Sequence, residues 1–109
     1  MTSEELEAKL EQARNGAKRY GQLRAMKEMA SERLKGVYAQ VYEDAPEGSI
    51  PEKDAWVRRD KRYIEAVQEA QNAHADWTTA ELWTKILFAE VELFRTVEAS
   101  NRGLDRAHR

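Results

Sequence analysis

Both prolines of this 109-residue chain, Pro46 and Pro51, lie within six positions of each other near its middle. On either side, apolar residues recur every three to four positions with no helix-breaking proline to interrupt them. In the first stretch the stripe is Leu6, Leu10, Ala13, Ala17, Tyr20, Leu23, Met26, Ala30, Leu34, Val37 and Val41; in the second it is Tyr63, Val67, Ala70, His74, Trp77, Ala80, Thr84, Leu87, Val91, Phe94 and Val97. Mean spacings near 3.5 residues are those of long helices that pack along one face. The fold expected is all-α: a long helix over about 3–44, a loop over 45–48, a short helix over 50–59 and a second long helix over 61–102, in a single domain covering 1–109. Two helices of nearly equal length with a short connection fold back as an antiparallel hairpin.

Local signals set the ends. Ser3, preceded by Thr2, is the expected first cap, with Glu4, Glu5 and Glu7 suiting the positive end of the helix dipole. Ser49-Ile50-Pro51-Glu52 fits a capping box with proline in the first turn. Asp60 can cap a new start at Lys61, which places a bend at 59–61. Gly103 reads as a stop. Three threefold intervals in succession through Leu23 and Met26 predict a local register adjustment, and Gly16 or Gly21 could admit a close neighbour. Glu5–Lys9, Glu81–Lys85 and Glu98–Arg102 have the spacing of intrahelical ion pairs. Charge also supports the hairpin: residues 14–35 carry seven basic and two acidic groups, residues 65–98 seven acidic and two basic.

The second long helix carries more apolar surface than one neighbour can cover. Of the sixteen residues 82–97, ten are apolar, including Leu82, Trp83, Ile86, Leu87, Phe88, Val91, Leu93 and Phe94. At 100° per residue one flank is Trp83, Leu87, Val91 and Phe94, a second is Leu82, Ile86, Leu93 and Val97, and Phe88 lies between the first flank and the side opposite Leu82. The eight are the expected interface, and the occupant expected is a second copy, giving a dimeric helical bundle, with a heterologous partner as the alternative. The short helix, with Ile50, Trp56 and Val57, could cover part of this surface if it folded back.

Chemistry is poorly represented. There is no cysteine and there are two histidines, so thiolate metal sites and cysteine nucleophiles are excluded. No glycine-rich phosphate loop and no His-Glu-x-x-His or Glu-x-x-His pattern occurs. His74 lies on the apolar stripe and is expected as a core or interface histidine. Glu28/Glu32 and Glu65/Glu69 read as solvated faces, Glu90 and Glu92 as edges of the packed surface, and Trp77, Trp83, Phe88 and Phe94 as packing. No catalytic residue, metal or cofactor is expected. The one suggestive polar cluster is Arg58, Arg59, Lys61 and Arg62 between Trp56 and Tyr63, which could gather phosphates and stack bases; the nearby segment 43–54 is acidic. Arg102, Arg106, His108 and Arg109 form a mildly basic tail. A formal net charge of -2 gives no general attraction to nucleic acid or membrane, and the acidic start lacks an apolar leader, so a cytoplasmic location is expected.

The run Asp60-Lys61-Arg62-Tyr63-Ile64-Glu65-Ala66-Val67, then Trp77, Ala80-Glu81-Leu82-Trp83, Ala89-Glu90-Val91-Glu92-Leu93-Phe94-Arg95 and Ala99-Ser100-Asn101-Arg102 resembles small helical proteins of tailed phages and prophages, some encoded near DNA recombination or replication genes. The resemblance covers the second half of the chain. It implies an intracellular accessory protein that contacts phage or host DNA-processing proteins, and it carries over no catalytic residue. The function expected is thus a non-enzymatic interaction protein, with a nucleic-acid-binding dimer as the alternative.

Overall fold

Helix α1 starts where Thr2 closes a capping box with Glu5: the Glu5 amide donates to Thr2 Oγ1 at 3.2 Å and the Thr2 amide donates to Glu5 Oε2 at 3.4 Å. The cap is thus Thr2, one residue before the one expected, because Thr2 has the glutamate at the required three-residue separation. The computed structural model describes residues 2–107, and these form α1 (Ser3–Asp44), α2 (Ile50–Arg59) and α3 (Lys61–Ala107). Ser49 caps α2 by accepting from the Glu52 amide at 3.3 Å. Asp60 is a single extended residue, φ -71° and ψ 134°, that ends α2 and begins α3. Its Oδ1 accepts from the Arg62 amide at 2.8 Å, as a cap must. Gly103 does not end α3, which continues to Ala107. With helical dihedrals available, glycine costs about 1 kcal/mol relative to alanine and need not terminate a helix. Of the basic tail, Arg102 and Arg106 lie on α3, while His108 and Arg109 lie outside the described residues.

Helix α1 packs against α3 as an all-α hairpin, with two compact units: Met1–Gly21 with Thr79–Arg109, and Gln22–Thr78. In the first unit Ala13, Leu87 and Val91 are buried, with Leu6, Leu10, Tyr20 and Phe94 half-buried around them. Lys9 meets Glu90, and a Cβ on Gly16 would stand 3.5 Å from Thr84 Oγ1, so partners descend along α3 as they climb α1. That separation is ordinary contact, so Gly16 is not needed for close approach; a Cβ on Gly21 meets nothing within 4 Å. In the second unit Leu23, Val41, Val57 and Ala66 are buried. Arg33 reaches Glu69 at 2.9 Å, Lys27 lies 4.0 Å over the Trp77 ring, and Tyr38 meets Tyr63 edge-on at 6.0 Å.

Several stripe positions turn outward. Ala17, Met26, His74 and Val97 are exposed, whereas Lys27, Ala66 and Ala73 point inward in part or in full. The inward positions nonetheless keep heptad spacing, through Leu23, Lys27, Ala30, Leu34, Val37 and Val41 on α1 and through Ala66, Ala70, Ala73, Trp77, Ala80, Thr84, Leu87, Val91 and Phe94 on α3, so each departure is a one-position exchange. The register adjustment expected near Met26 is the exchange of Met26 for Lys27, whose ammonium gains the face of Trp77. Glu81–Lys85 and Glu98–Arg102 form as expected, at 2.9 and 3.4 Å. Lys9 bonds across to Glu90 instead of back to Glu5.

Val57 is fully buried and Gly36 has open space around it. Val57→Ala should therefore lower stability by about 2 kcal/mol, and Gly36→Ala should raise it by about 1 kcal/mol, both read by urea unfolding followed with far-UV circular dichroism.

Candidate functional site

Two places could carry function: the apolar surface of α3 in the first unit and the basic cluster at the start of α3 in the second.

The eight residues expected at an interface divide. Leu87 and Val91, exposed by 4% and 2%, face α1, and Phe94 is half-buried beside them. They are the inner core of their unit and not available to a partner. Leu82, Trp83, Ile86, Phe88 and Leu93 remain exposed by 49–65%. At about 100° per residue, Leu82, Ile86, Leu93, Val97 and Leu104 fall within a strip roughly 60° wide, with its midline about 130° from that of Leu87 and Val91. Trp83 lies at one edge of the strip. Phe88 lies about 150° from its midline, on the opposite flank, so a helix seated on the strip would leave Phe88 uncovered. Within about 80° of the midline, Glu90 is the one charged residue between Thr79 and Leu104, in a chain where 35% of residues are charged.

The strip has its own period. Leu82, Leu93 and Leu104 are eleven residues apart, as are Ile86 and Val97. An eleven-residue repeat corresponds to 3.67 residues per turn and drifts about 20° in eleven residues on a straight helix, in the sense opposite to a heptad's 20° in seven. The face toward α1 and the strip therefore follow different rules on the same helix. This period is the signal that separates the two faces in the sequence, and it adds Leu104 to the expected set. Lys9, which donates to Glu90 at the strip's edge, carries no mark in the sequence because its partner lies on the other long helix.

In the second unit the basic cluster is occupied by its own neighbours. Arg58 Nε donates to Asp54 Oδ2 at 2.8 Å. Arg62 donates to Asp44 at 2.8 Å and to both oxygens of Asp60. Lys61 lies 3.7 Å from Glu65, and Arg59 Nε donates to the Ala55 carbonyl at 3.3 Å. Three of the four cations are thus paired with acids, Arg58 with Asp54, Lys61 with Glu65 and Arg62 with Asp44 and Asp60, while Arg59 bonds a carbonyl. The cluster pins the α2–α3 junction to the end of α1. A shallow hollow beside it is lined by Trp56, Arg59, Asp60 and Lys61.

Tyr38 extends this network by donating its hydroxyl to Asp54 Oδ1 at 2.8 Å. Hydrogen bonds from Arg58 and then Tyr38 hold the Asp54 carboxyl below its ordinary pKa. Arg62, through its side chain and its amide, does the same for Asp60. The Asp54 carboxylate in turn raises the Tyr38 hydroxyl above its usual value. His74 is exposed, with its ring 5.7 Å from that of Trp77, so the core position expected for it is not what forms. Ala73, the residue before it, takes the inward heptad position. Among the described residues no group of three or more metal-ligating side chains comes together, and no helix is long and apolar enough to cross a membrane. No family model, curated protein or solved structure matches the chain.

Asp54 and Asp60 bind protons less readily folded than unfolded. Their stabilising contribution is present above the unfolded carboxylate value of about 3.9 and is lost as pH falls through it toward the lower folded values. The melting temperature should fall between about pH 5 and pH 3, and Asp54→Asn should flatten part of that slope. An unchanged slope in circular-dichroism melts of the variant would contradict the assignment.

Proposed function

We propose that this chain is a non-enzymatic interaction protein and that its first partner is a second copy of itself, seated on the α3 strip of the first unit. The observation that carries the reading is the exposure of Leu82, Ile86, Leu93 and Val97 by 50–65% on one line of a helix that already buries another line against α1. Covering the exposed half of each side chain gains about 1 kcal/mol, so the four contribute roughly 4 kcal/mol per copy. For two copies that is roughly 8 kcal/mol, and subtracting about 4 kcal/mol for immobilising two bodies leaves association with a Kd on the order of millimolar from these four residues. A chain that carries this strip supplies it to every other copy, so a symmetric pairing covers two strips at once.

Such a pair would present the remaining surface, including Phe88 and the α2–α3 junction, to further proteins. The resemblance of the second half to phage-encoded helical proteins supports placing those proteins among phage or host DNA-processing factors, and with them a location in the bacterial cytoplasm. The pairing of Arg58, Lys61 and Arg62 with acids weighs against nucleic acid as the ligand, because phosphates would have to displace intramolecular carboxylates.

Light scattering on approaching roughly millimolar concentration should give a mass rising toward twice 12.6 kDa, falling toward the single-chain mass on dilution. Ile86→Glu should give the single-chain mass throughout with helicity retained, and Phe88→Glu should leave the dimer intact. A wild-type mass of one chain at every concentration would overturn the reading. In a separate titration, a fluorescent single-stranded oligonucleotide should show no salt-dependent binding; binding that weakens steeply with salt would favour the basic cluster as the site.

A further inference from the structure

We propose that the two α3 helices meet antiparallel, about a two-fold axis passing beside Ala89 and Glu90, and that Lys9 is the residue that permits this pairing. The inference deepens the self-association reading and rests on it.

The spacing of four of the strip's five residues carries the orientation. Leu82, Ile86, Leu93 and Val97 are separated by four, seven and four residues, the same in either direction along the helix, and Leu104, seven residues further on, lies beyond this symmetric set. An antiparallel partner centred on 89/90 sets Leu82 opposite Val97 of the other copy and Ile86 opposite Leu93 of the other copy. Large side chains then meet in four layers. At the centre stands Ala89, small and exposed, on one side of the strip's midline. Its size allows the two backbones to approach where no large side chain separates them. A two-fold axis of this kind keeps each residue on its own side of the seam, so Ala89 meets its counterpart on one side and Glu90 meets its counterpart on the other.

The meeting of two Glu90 carboxylates is the cost of the arrangement, because like charges brought together in a partly desolvated seam repel. The first unit already contains the remedy. Lys9 Nζ donates to Glu90 Oε2, and the two side chains are 32% and 45% exposed, at the margin of the strip and not out in solvent. Two copies would bring two ammonium groups and two carboxylates together around the axis, alternating in sign. A parallel pairing has no such closure: it sets Leu82 against Leu82 and leaves each Lys9–Glu90 pair to itself.

The chain has no cysteine, so single thiols can be placed cleanly. Under mild oxidation Ala89→Cys should form a disulfide-linked dimer. Leu82→Cys alone should remain uncrosslinked, while a mixture of Leu82→Cys and Val97→Cys should yield the mixed dimer at least tenfold faster than either variant alone. Self-crosslinking of Leu82→Cys at that rate, with no mixed product, would overturn the antiparallel arrangement. Light scattering of the same samples before oxidation separates the two levels: a single-chain mass removes self-association itself, whereas a dimer mass with the wrong crosslinks removes only the orientation. Lys9→Glu should raise the dimer Kd at least tenfold at low salt, and the exchange variant Lys9→Glu/Glu90→Lys should restore it to within threefold. A Kd unmoved by Lys9→Glu, or a loss that the exchange fails to restore, would overturn the role given to Lys9.

Discussion

A helix can satisfy one neighbour with one line of side chains, and α3 carries two. The line through Leu87 and Val91 is closed by α1 within the first unit. The line through Leu82, Ile86, Leu93 and Val97 lies well round the cylinder from it, beyond what the same neighbour can reach. The function proposed for the chain rests on that geometric mismatch. The exposed line is nearly free of charge on a chain otherwise crowded with it, and an isolated helix face has no use for such economy of charge.

The fold is legible in the sequence because its determinants are local. Pro46 and Pro51 confine the connection, Ser49 and Asp60 cap α2 and α3, and helix-forming residues with a near-3.5 apolar spacing do the rest. The differences in detail share one cause. The inward heptad positions are held in places by small or charged residues, Lys27, Ala73 and Glu98, and a stripe drawn through larger neighbours puts Met26, His74 and Val97 there instead. Ala66 escapes the stripe for the same reason. The Gly103 stop fails because glycine ends a helix only where the backbone is driven into a left-handed conformation, and no glycine among the described residues has positive φ.

The candidate surface is legible in kind but not in outline. Helical spacing over 82–97 separates a flank of Trp83, Leu87, Val91 and Phe94 from one of Leu82, Ile86, Leu93 and Val97; it does not say which flank α1 covers. That choice needs the position of α1, which assigns Leu87 and Val91 to the core and leaves Leu82, Ile86 and Leu93 exposed. The basic cluster misleads for a related reason. Arg58, Lys61 and Arg62 are adjacent in sequence to few acids, but the fold of the second unit brings Asp44 to Arg62, and helical spacing brings Asp54 to Arg58 and Glu65 to Lys61. Charge that looks unspent along the chain is already engaged at the junction, where it fixes the bend and leaves less to offer a phosphate.

The central claim concerns the accessibility of individual side chains in solution. Hydroxyl-radical footprinting with mass-spectrometric readout reports that quantity residue by residue. The account predicts that, at concentrations above the association midpoint, Leu82, Ile86 and Leu93 oxidise several-fold more slowly than Ile50, which is 74% exposed, and that the protection disappears on dilution while Phe88 stays reactive throughout. Oxidation of Leu82, Ile86 and Leu93 at the rate of Ile50 at every concentration would contradict it.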